Sequence, residues 1–301
     1  MSTTRATLVG LLAIVFWSAI VGLLRGVSSA LGATGGAALV YTVASLLLLA
    51  TVGPTRVRAM PRRYLAWGSL LFVAYEMCLA LSIGYAHSHR QAIEVGMVNY
   101  LWPAMTMLFA ILFNGQKARW TIVPGFALAI LGICWVLGGD GGVDPAAMAA
   151  NVHDNPLSYG LAFTGTLIWA GYCTITARYA KGQNGVTLFF MLTALALWAK
   201  YLIIGGETMR WSVEALVYLG LAAAAMGFGY AAWNVGLLHG NMTVLAGASY
   251  FIPVLSAALA ALVLETPLSL AFWQGAALVC AGSILCWLAT RRPARGAAGA
   301  S

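Results

Sequence analysis

Apolar runs about as long as a membrane is thick recur along this chain from end to end, and that recurrence constrains its fold more than any motif does. A helix crosses the hydrocarbon core with about 20 apolar residues. Ten stretches meet the requirement: 6–25, 34–53, 64–86, 91–113, 120–138, 157–178, 185–204, 213–238, 242–264 and 268–290. Lipid offers the backbone no hydrogen-bond partners, so each is expected to be helical. Composition agrees, with 61% hydrophobic and 8% charged residues. Soluble domains carry roughly 25% charged residues, so a surface this poor in charge suits lipid rather than water. The expected class is an all-α integral membrane protein of ten transmembrane helices. Arg5 followed by the apolar 6–24 resembles a signal peptide, but the run is long enough to span and holds Trp17. It is expected to stay as the first helix.

The charges set the direction of the spans. A net charge of +8 would suit nucleic acid if it formed one basic face, but here the basic residues sit in short clusters between apolar runs. With the N-terminus inside, all of them but Arg25, Arg90, Lys200 and Arg210 fall on the cytoplasmic side, where Arg56, Arg58, Arg62, Arg63, Lys117, Arg119, Arg178, Lys181, Arg291, Arg292 and Arg295 join Arg5. Asp140, Asp144 and Asp154 share one outer loop. Positive residues stay inside, so both termini are expected in the cytoplasm. Abundant Arg, Ala and Gly match a GC-rich bacterial genome, which points to a bacterial cytoplasmic (inner) membrane.

Residues 92–138 align with 242–288 at a constant offset of 150. The alignment superposes Tyr100 on Tyr250, Pro103 on Pro253, Gly125 on Gly275 and Gly132 on Gly282. Trp17 and Trp169 take similar places in the first helix of each half. The dividing segment is 139–156, an extracytoplasmic linker. The first unit is therefore 1–138, and the second is 157–301, including a short basic tail. Five helices per unit is an odd number, so the second unit enters from the opposite side. Two inverted five-helix repeats are the arrangement that lets a transporter open to either side in turn.

Polar and aromatic residues at membrane depth are the candidates for the path. Glu76 lies mid-helix, where a carboxylate needs a partner or a wet cavity; it is a candidate proton acceptor or ammonium partner. Asn99, Tyr100 and Trp102 cluster beside Pro103, and Tyr250 precedes Pro253. Proline removes a backbone hydrogen bond and bends a helix, so Pro103 and Pro253 are the candidate hinges. Trp17, Tyr75, Trp169, Tyr172, Tyr230 and Trp233 are far enough from helix ends to offer stacking surfaces, and Asn234 a hydrogen-bonding group. Glu94, near the outer interface, is expected to be structural, and His87, His89 and His239 to be solvated helix-end residues. The five cysteines form no CxxC or His/Cys ligand pattern, and neither a metal nor a cofactor is expected.

At this point the residues resemble a known family. The run 262–282, with Glu265, Pro267, Gln274, Gly275 and Gly282, is similar to the repeat signature of the drug/metabolite transporter superfamily. The strings EVGMVNYLWP at 94–103, YAAWNVGLLHGN at 230–241, SYFIP at 249–253 and FWQG at 272–275 resemble its aromatic amino acid exporter branch. The first half departs from the signature where Gly115 stands opposite Glu265. The resemblance implies a central cavity between the halves and export of aromatic and other bulky amino acids, with related aromatic cations as a further class. The expected partners are an amino-acid or small aromatic substrate and the lipid bilayer, without nucleic acid. Two complete halves in one chain suit a monomer. No GxxxxGK[ST] occurs for an ATP-driven pump. Other metabolites or drugs stay open as cargo, and an intramembrane enzyme or receptor stays open as an alternative class.

Overall fold

The structure, a computed structural model, describes residues 2–290 apart from the side chains of 242 and 243. The predicted basic tail with Arg291, Arg292 and Arg295 lies outside the described residues. Within them all regular structure is helical: α1 (Thr3–Leu31), α2 (Ala33–Thr51), α3 (Arg62–Gly84), α4 (His89–Asn99), α5 (Trp102–Asn114), α6 (Ile122–Leu137), α7 (Pro145–Asp154), α8 (Pro156–Tyr179), α9 (Val186–Ile204), α10 (Val213–His239), α11 (Met242–Ser249), α12 (Ile252–Val263) and α13 (Leu270–Thr290).

Among the described residues, seven helical stretches are long and apolar enough to cross a membrane: α1, α2, α3, α4 with α5, α9, α10 and α13. Two more, α6 and α12, are apolar but shorter. The remaining predicted span, α8, has 24 residues, but Ser158, Tyr159, Thr164, Thr166, Tyr172, Thr174 and Thr176 dilute its apolar character. The linker carries a short helix of its own, α7, started by Asp144, whose carboxylate accepts from the Ala146 and Ala147 N–H groups. That is ordinary N-capping.

Two local features differ from the sequence expectation, and both have a tertiary cause. The first helix runs on to Leu31, through Arg25, and only Gly32 (φ 76°) separates it from α2. Arg25 reads as a loop residue by charge, yet its guanidinium donates to the carbonyls of Ala86 at 2.7 Å and Gly84 at 3.4 Å. Gly84 is the last residue of α3 and Ala86 lies two residues beyond it, so the helix pairs neither carbonyl. Lys200 likewise donates to Thr34 Oγ1 at 2.9 Å and Tyr85 Oη at 2.8 Å, joining α9 to α2 and the end of α3.

The second difference concerns the prolines. The chain breaks at Tyr100 and Leu101 and again at Tyr250 and Phe251, upstream of Pro103 and Pro253, which both stand in the first turn of a new helix. Proline is at home there because its missing N–H would be unpaired anyway. At the first break the Thr166 hydroxyl of α8 lies 3.3 Å from the Asn99 carbonyl, whose helical donor would have been Pro103, and 3.4 Å from the Val98 carbonyl, which accepts from the Leu101 N–H at 3.2 Å.

Packing is dominated by α1 on α10, α6 on α13, α3 on α8 and α2 on α9, followed by α1 on α12, α2 on α10 and α5 on α8. The α6–α13 pair is the closest. A Cβ on Gly132 would lie 2.7 Å from the Gly275 carbonyl oxygen, and one on Gly275 would lie 2.8 Å from that of Gly132. Small residues permit this approach, which membrane helices use in place of hydrophobic exclusion.

Candidate functional site

The buried polar chemistry converges on one cavity of about 240 Å³ among α1, α3, α8, α10 and the two breaks. Its walls carry Trp17, Tyr75, Glu76, Asn99, Tyr100, Trp102, Trp169, Tyr230 and Trp233 from the residues singled out by sequence. Ile20, Val21, Leu79, Cys173, Met226, Ser249 and Ile252 complete it. The helical period explains the grouping: Tyr75, Glu76 and Leu79 share one face of α3, as Met226, Tyr230 and Trp233 share one face of α10.

The aromatic rings form two clusters. Trp169 lies 4.4 Å from Tyr75, 5.0 Å from Tyr172 and 6.3 Å from Trp102 between ring centroids. Trp17 lies 5.2 Å from Tyr230 and 5.1 Å from Trp233. Phe72 joins the clusters, 6.2 Å from Trp169 and 6.0 Å from Tyr230. It is fully buried, so it supports the walls from behind. Such tilted and edge-on rings are the preferred aromatic geometry.

Glu76 is 1% exposed and both its oxygens are occupied. Oε2 accepts from the Tyr41 hydroxyl at 2.6 Å and Oε1 from that of Tyr230 at 2.9 Å. The second bond joins α3 to α10 across the cavity wall. Asn99 donates its Nδ2 to the Tyr75 hydroxyl at 3.4 Å, while its Oδ1 is buried and without a partner. A buried acceptor left open is uncommon and calls for an explanation.

The structure does not bring three of the sequence candidates to the wall. Tyr172 stands one layer back, against Trp169 and Phe72. Asn234, half-buried on α10, accepts from Asn184 Nδ2 at 3.1 Å, away from the cavity lining. Tyr250 is buried against Trp287 at 5.7 Å. Tyr41 and Phe72 were missed from sequence. Phe72 precedes Glu76 by four residues, so it lies on the same helix face, a usable signal. Tyr41 had none, because its helix carries no other mark of the site.

One end of the cavity is sealed. Along α4, residues 91–99 are all buried. Toward the opposite end, residues 106–110 on α5, 171–176 on α8 and 230–235 on α10 are only half-buried. A polar network crosses the sealed end. Arg90 donates to Glu94 at 3.1 Å and to Asp140 at 2.7 Å, and Glu94 also accepts from Tyr159 at 3.0 Å. Asp154 accepts from Gln91 at 3.0 Å and contacts His87 at 3.1 Å. The hydrogen bond from Arg90, then that from Ser269, hold the Asp140 carboxyl below its usual range; those of Gln91 and His87 do the same for Asp154.

Comparison with known proteins decides the family. The model of the EamA-like transporter family matches residues 4–138 and 156–288, leaving out only the linker and the two ends. The chain belongs to the EamA-like transporter family. This EamA-like transporter is a multi-pass membrane protein and not an enzyme. It is 59% identical over 292 residues to the aromatic amino acid exporter YddG of Salmonella typhimurium (strain 14028s / SGSC 2262), covering 97% of this chain and 100% of that one. The protein of the same name from Escherichia coli (strain K12) gives the same identity and coverage. That of Ancylobacter novellus is 29% identical over 204 residues, 66% of this chain and 68% of its own. A solved crystal structure with 22% identity superposes with a TM-score of 0.65, covering 96% of this chain and 98% of that one. It shares the fold of this EamA-like transporter.

Proposed function

We propose that this protein exports aromatic amino acids from the bacterial cytoplasm by alternating access, as ten transmembrane helices in two inverted halves. The observation that carries the reading is the aromatic cavity with a buried carboxylate where the halves meet. Tyr75, Trp102, Trp169, Trp17, Tyr230 and Trp233 offer stacking faces to a substrate ring, and Glu76 with Asn99 receives its ammonium group. Binding sites of this kind are apolar with a few placed polar groups.

The packing supports inversion. Exchanging the halves turns α1 on α10 into α8 on α3, and α1 on α12 into α8 on α5, both of which occur. The α2–α9 and α6–α13 pairs map onto themselves. The same exchange relates the contact of Gly125 with Gly282 to that of Gly132 with Gly275. Gly115 and Glu265, opposite each other at the offset of 150, both take left-handed backbone, φ 66° and φ 49°. Bent or broken helices at a repeat interface are the usual markers of a transport site.

The decisive measurement is flux. Liposomes holding the protein are expected to exchange labelled phenylalanine and tryptophan well above protein-free vesicles. Background accumulation and background counterflow across a panel of amino acids would refute the reading.

In this orientation the sealed end faces the periplasm and the half-open end the cytoplasm. The offset of 150 places Gly240 and Val244 opposite Arg90 and Glu94, so the other end has no matching ion pair at those positions. The Arg90 network therefore favours the inward-facing state. Arg90→Ala leaves the buried Glu94 without its cation, and about 1 kcal/mol of lost bias shifts the populations about fivefold. In a variant keeping only Cys173, a cavity thiol, labelling by an impermeant reagent added outside is expected to rise by that factor. Unchanged labelling would remove Arg90 from gating. Because Asp140 and Asp154 are held below the usual range, their bonds are present above it and are lost only as pH falls through the lowered values. Because the thiolate is what reacts, the comparison is the ratio of Asp140→Asn or Asp154→Asn labelling to the parent's at each pH, and this ratio is expected to be flat from roughly pH 5 to 8.

A further inference from the structure

Among the described residues that line the cavity, Glu76 is the one with a formal charge, and no basic side chain faces it. A free aromatic amino acid brings two charges into this space. Its ammonium finds the Glu76 carboxylate, the unpartnered Asn99 Oδ1 and ring faces that attract cations.

Its carboxylate is less well served. The Asn99 amide gives one of its two N–H groups to Tyr75 and keeps one neutral donor, and the Ser249 hydroxyl donates to the Ala246 carbonyl at 2.8 Å. The Trp17 Nε1 has no partner, but it points at α10, 2.9 Å from where a Cβ on Gly229 would stand. Neutral donors elsewhere on the wall can solvate a carboxylate but do not neutralise it, and Glu76 repels it. Burying an unpaired charge is costly, and a site discriminates strongly by the groups it leaves unpaired.

We infer that the same cavity takes aromatic primary amines that lack a carboxylate, arylalkylamines and amides of aromatic amino acids, and holds them more tightly than the amino acids themselves. The inference rests on the proposed role of this cavity as the substrate site. It assigns Glu76 a part in specificity: the carboxylate selects for a cationic head, and the rings select for an aromatic tail.

The test uses the purified full chain and three indole probes: tryptamine, tryptophan and 3-indolepropionate, titrated calorimetrically. Tryptamine is expected to bind about tenfold more tightly than tryptophan, and indolepropionate about tenfold more weakly. In Glu76→Gln the tryptamine preference is expected to collapse to within about threefold. The melting temperature of Glu76→Gln is read beside the titrations, so that a collapsed preference in a variant that melts like the parent and still binds tryptophan is not unfolding. Vesicles loaded with labelled tryptophan then show whether external tryptamine drives its exit beyond the protein-free leak. Tryptophan binding as tightly as tryptamine, or an undiminished preference in Glu76→Gln, would overturn the inference. If tryptophan exchanges for tryptophan while tryptamine neither binds nor drives exit, this inference alone fails. If tryptophan itself does not exchange, the transport reading fails with it.

Discussion

Gly282→Val is expected to abolish the folded protein. A Cβ on Gly282 would stand 2.6 Å from the Gly125 carbonyl oxygen and closer still to the Ala129 backbone nitrogen. Both obstacles are main chain of α6, so no side chain can rotate aside. The helices must separate, and overpacking of this kind costs about 3 kcal/mol or more. The crossing has a second tight point at Gly132 and Gly275, so separation there removes the contacts of both halves together. The expected result is loss of the monodisperse peak in detergent. Gly160→Ala and Gly220→Ala serve as controls, since nothing lies within 4 Å of a Cβ at either position. Their melting temperatures should match the parent. A monodisperse Gly282→Val with the parent melting temperature would show that α6 and α13 do not meet as described.

The second large effect is expected at Glu76→Ala. The substitution strands the Tyr230 hydroxyl and leaves the fully buried Tyr41 hydroxyl only the main-chain carbonyl of residue 76, at 3.4 Å, in place of the carboxylate that both now donate to. An unpaired buried hydroxyl costs about 1–3 kcal/mol. Tyr230 also loses its tie to α3, so the rings of Trp17 and Trp233 stacked around it lose their anchor. Transport of labelled phenylalanine should fall by about a hundredfold, which corresponds to roughly 2.7 kcal/mol. Glu76→Gln restores a carbonyl acceptor but not the charge. It should recover thermal stability more fully than flux. Parent-level flux in Glu76→Gln would mean that the charge has no part in transport and that the carboxyl serves only to hold α2, α3 and α10 together.

Much of the site was legible because membrane burial makes polar residues conspicuous. Glu76 and Asn99 stand out in apolar surroundings, and Trp17 and Trp169 recur in the two halves, so their place on the cavity wall followed from depth and repetition. Depth does not give direction around a helix. Tyr172 and Trp169 are three residues apart, yet only Trp169 reaches the wall. Asn234 follows Trp233 and points toward Asn184 instead. Tyr250 matches Tyr100 in the repeat, but it packs on Trp287 while Tyr100 lines the cavity. Tyr41 carries no mark in its own helix; its role exists only because α2 and α3 bring its hydroxyl to Glu76.

Hydropathy by itself determined that the chain is helical and roughly where its long apolar segments lie, because a backbone in lipid has to satisfy its hydrogen bonds within each segment. Partners in space decided where those helices stop and which way their side chains face. Arg25 continues α1 because carbonyls at and just past the end of α3 receive its guanidinium, and the break before Pro103 is accommodated because Thr166 of α8 stands beside the Asn99 carbonyl that the proline leaves without a donor. Such contacts join residues tens of positions apart. No local pattern encodes them, and the cavity is built from them.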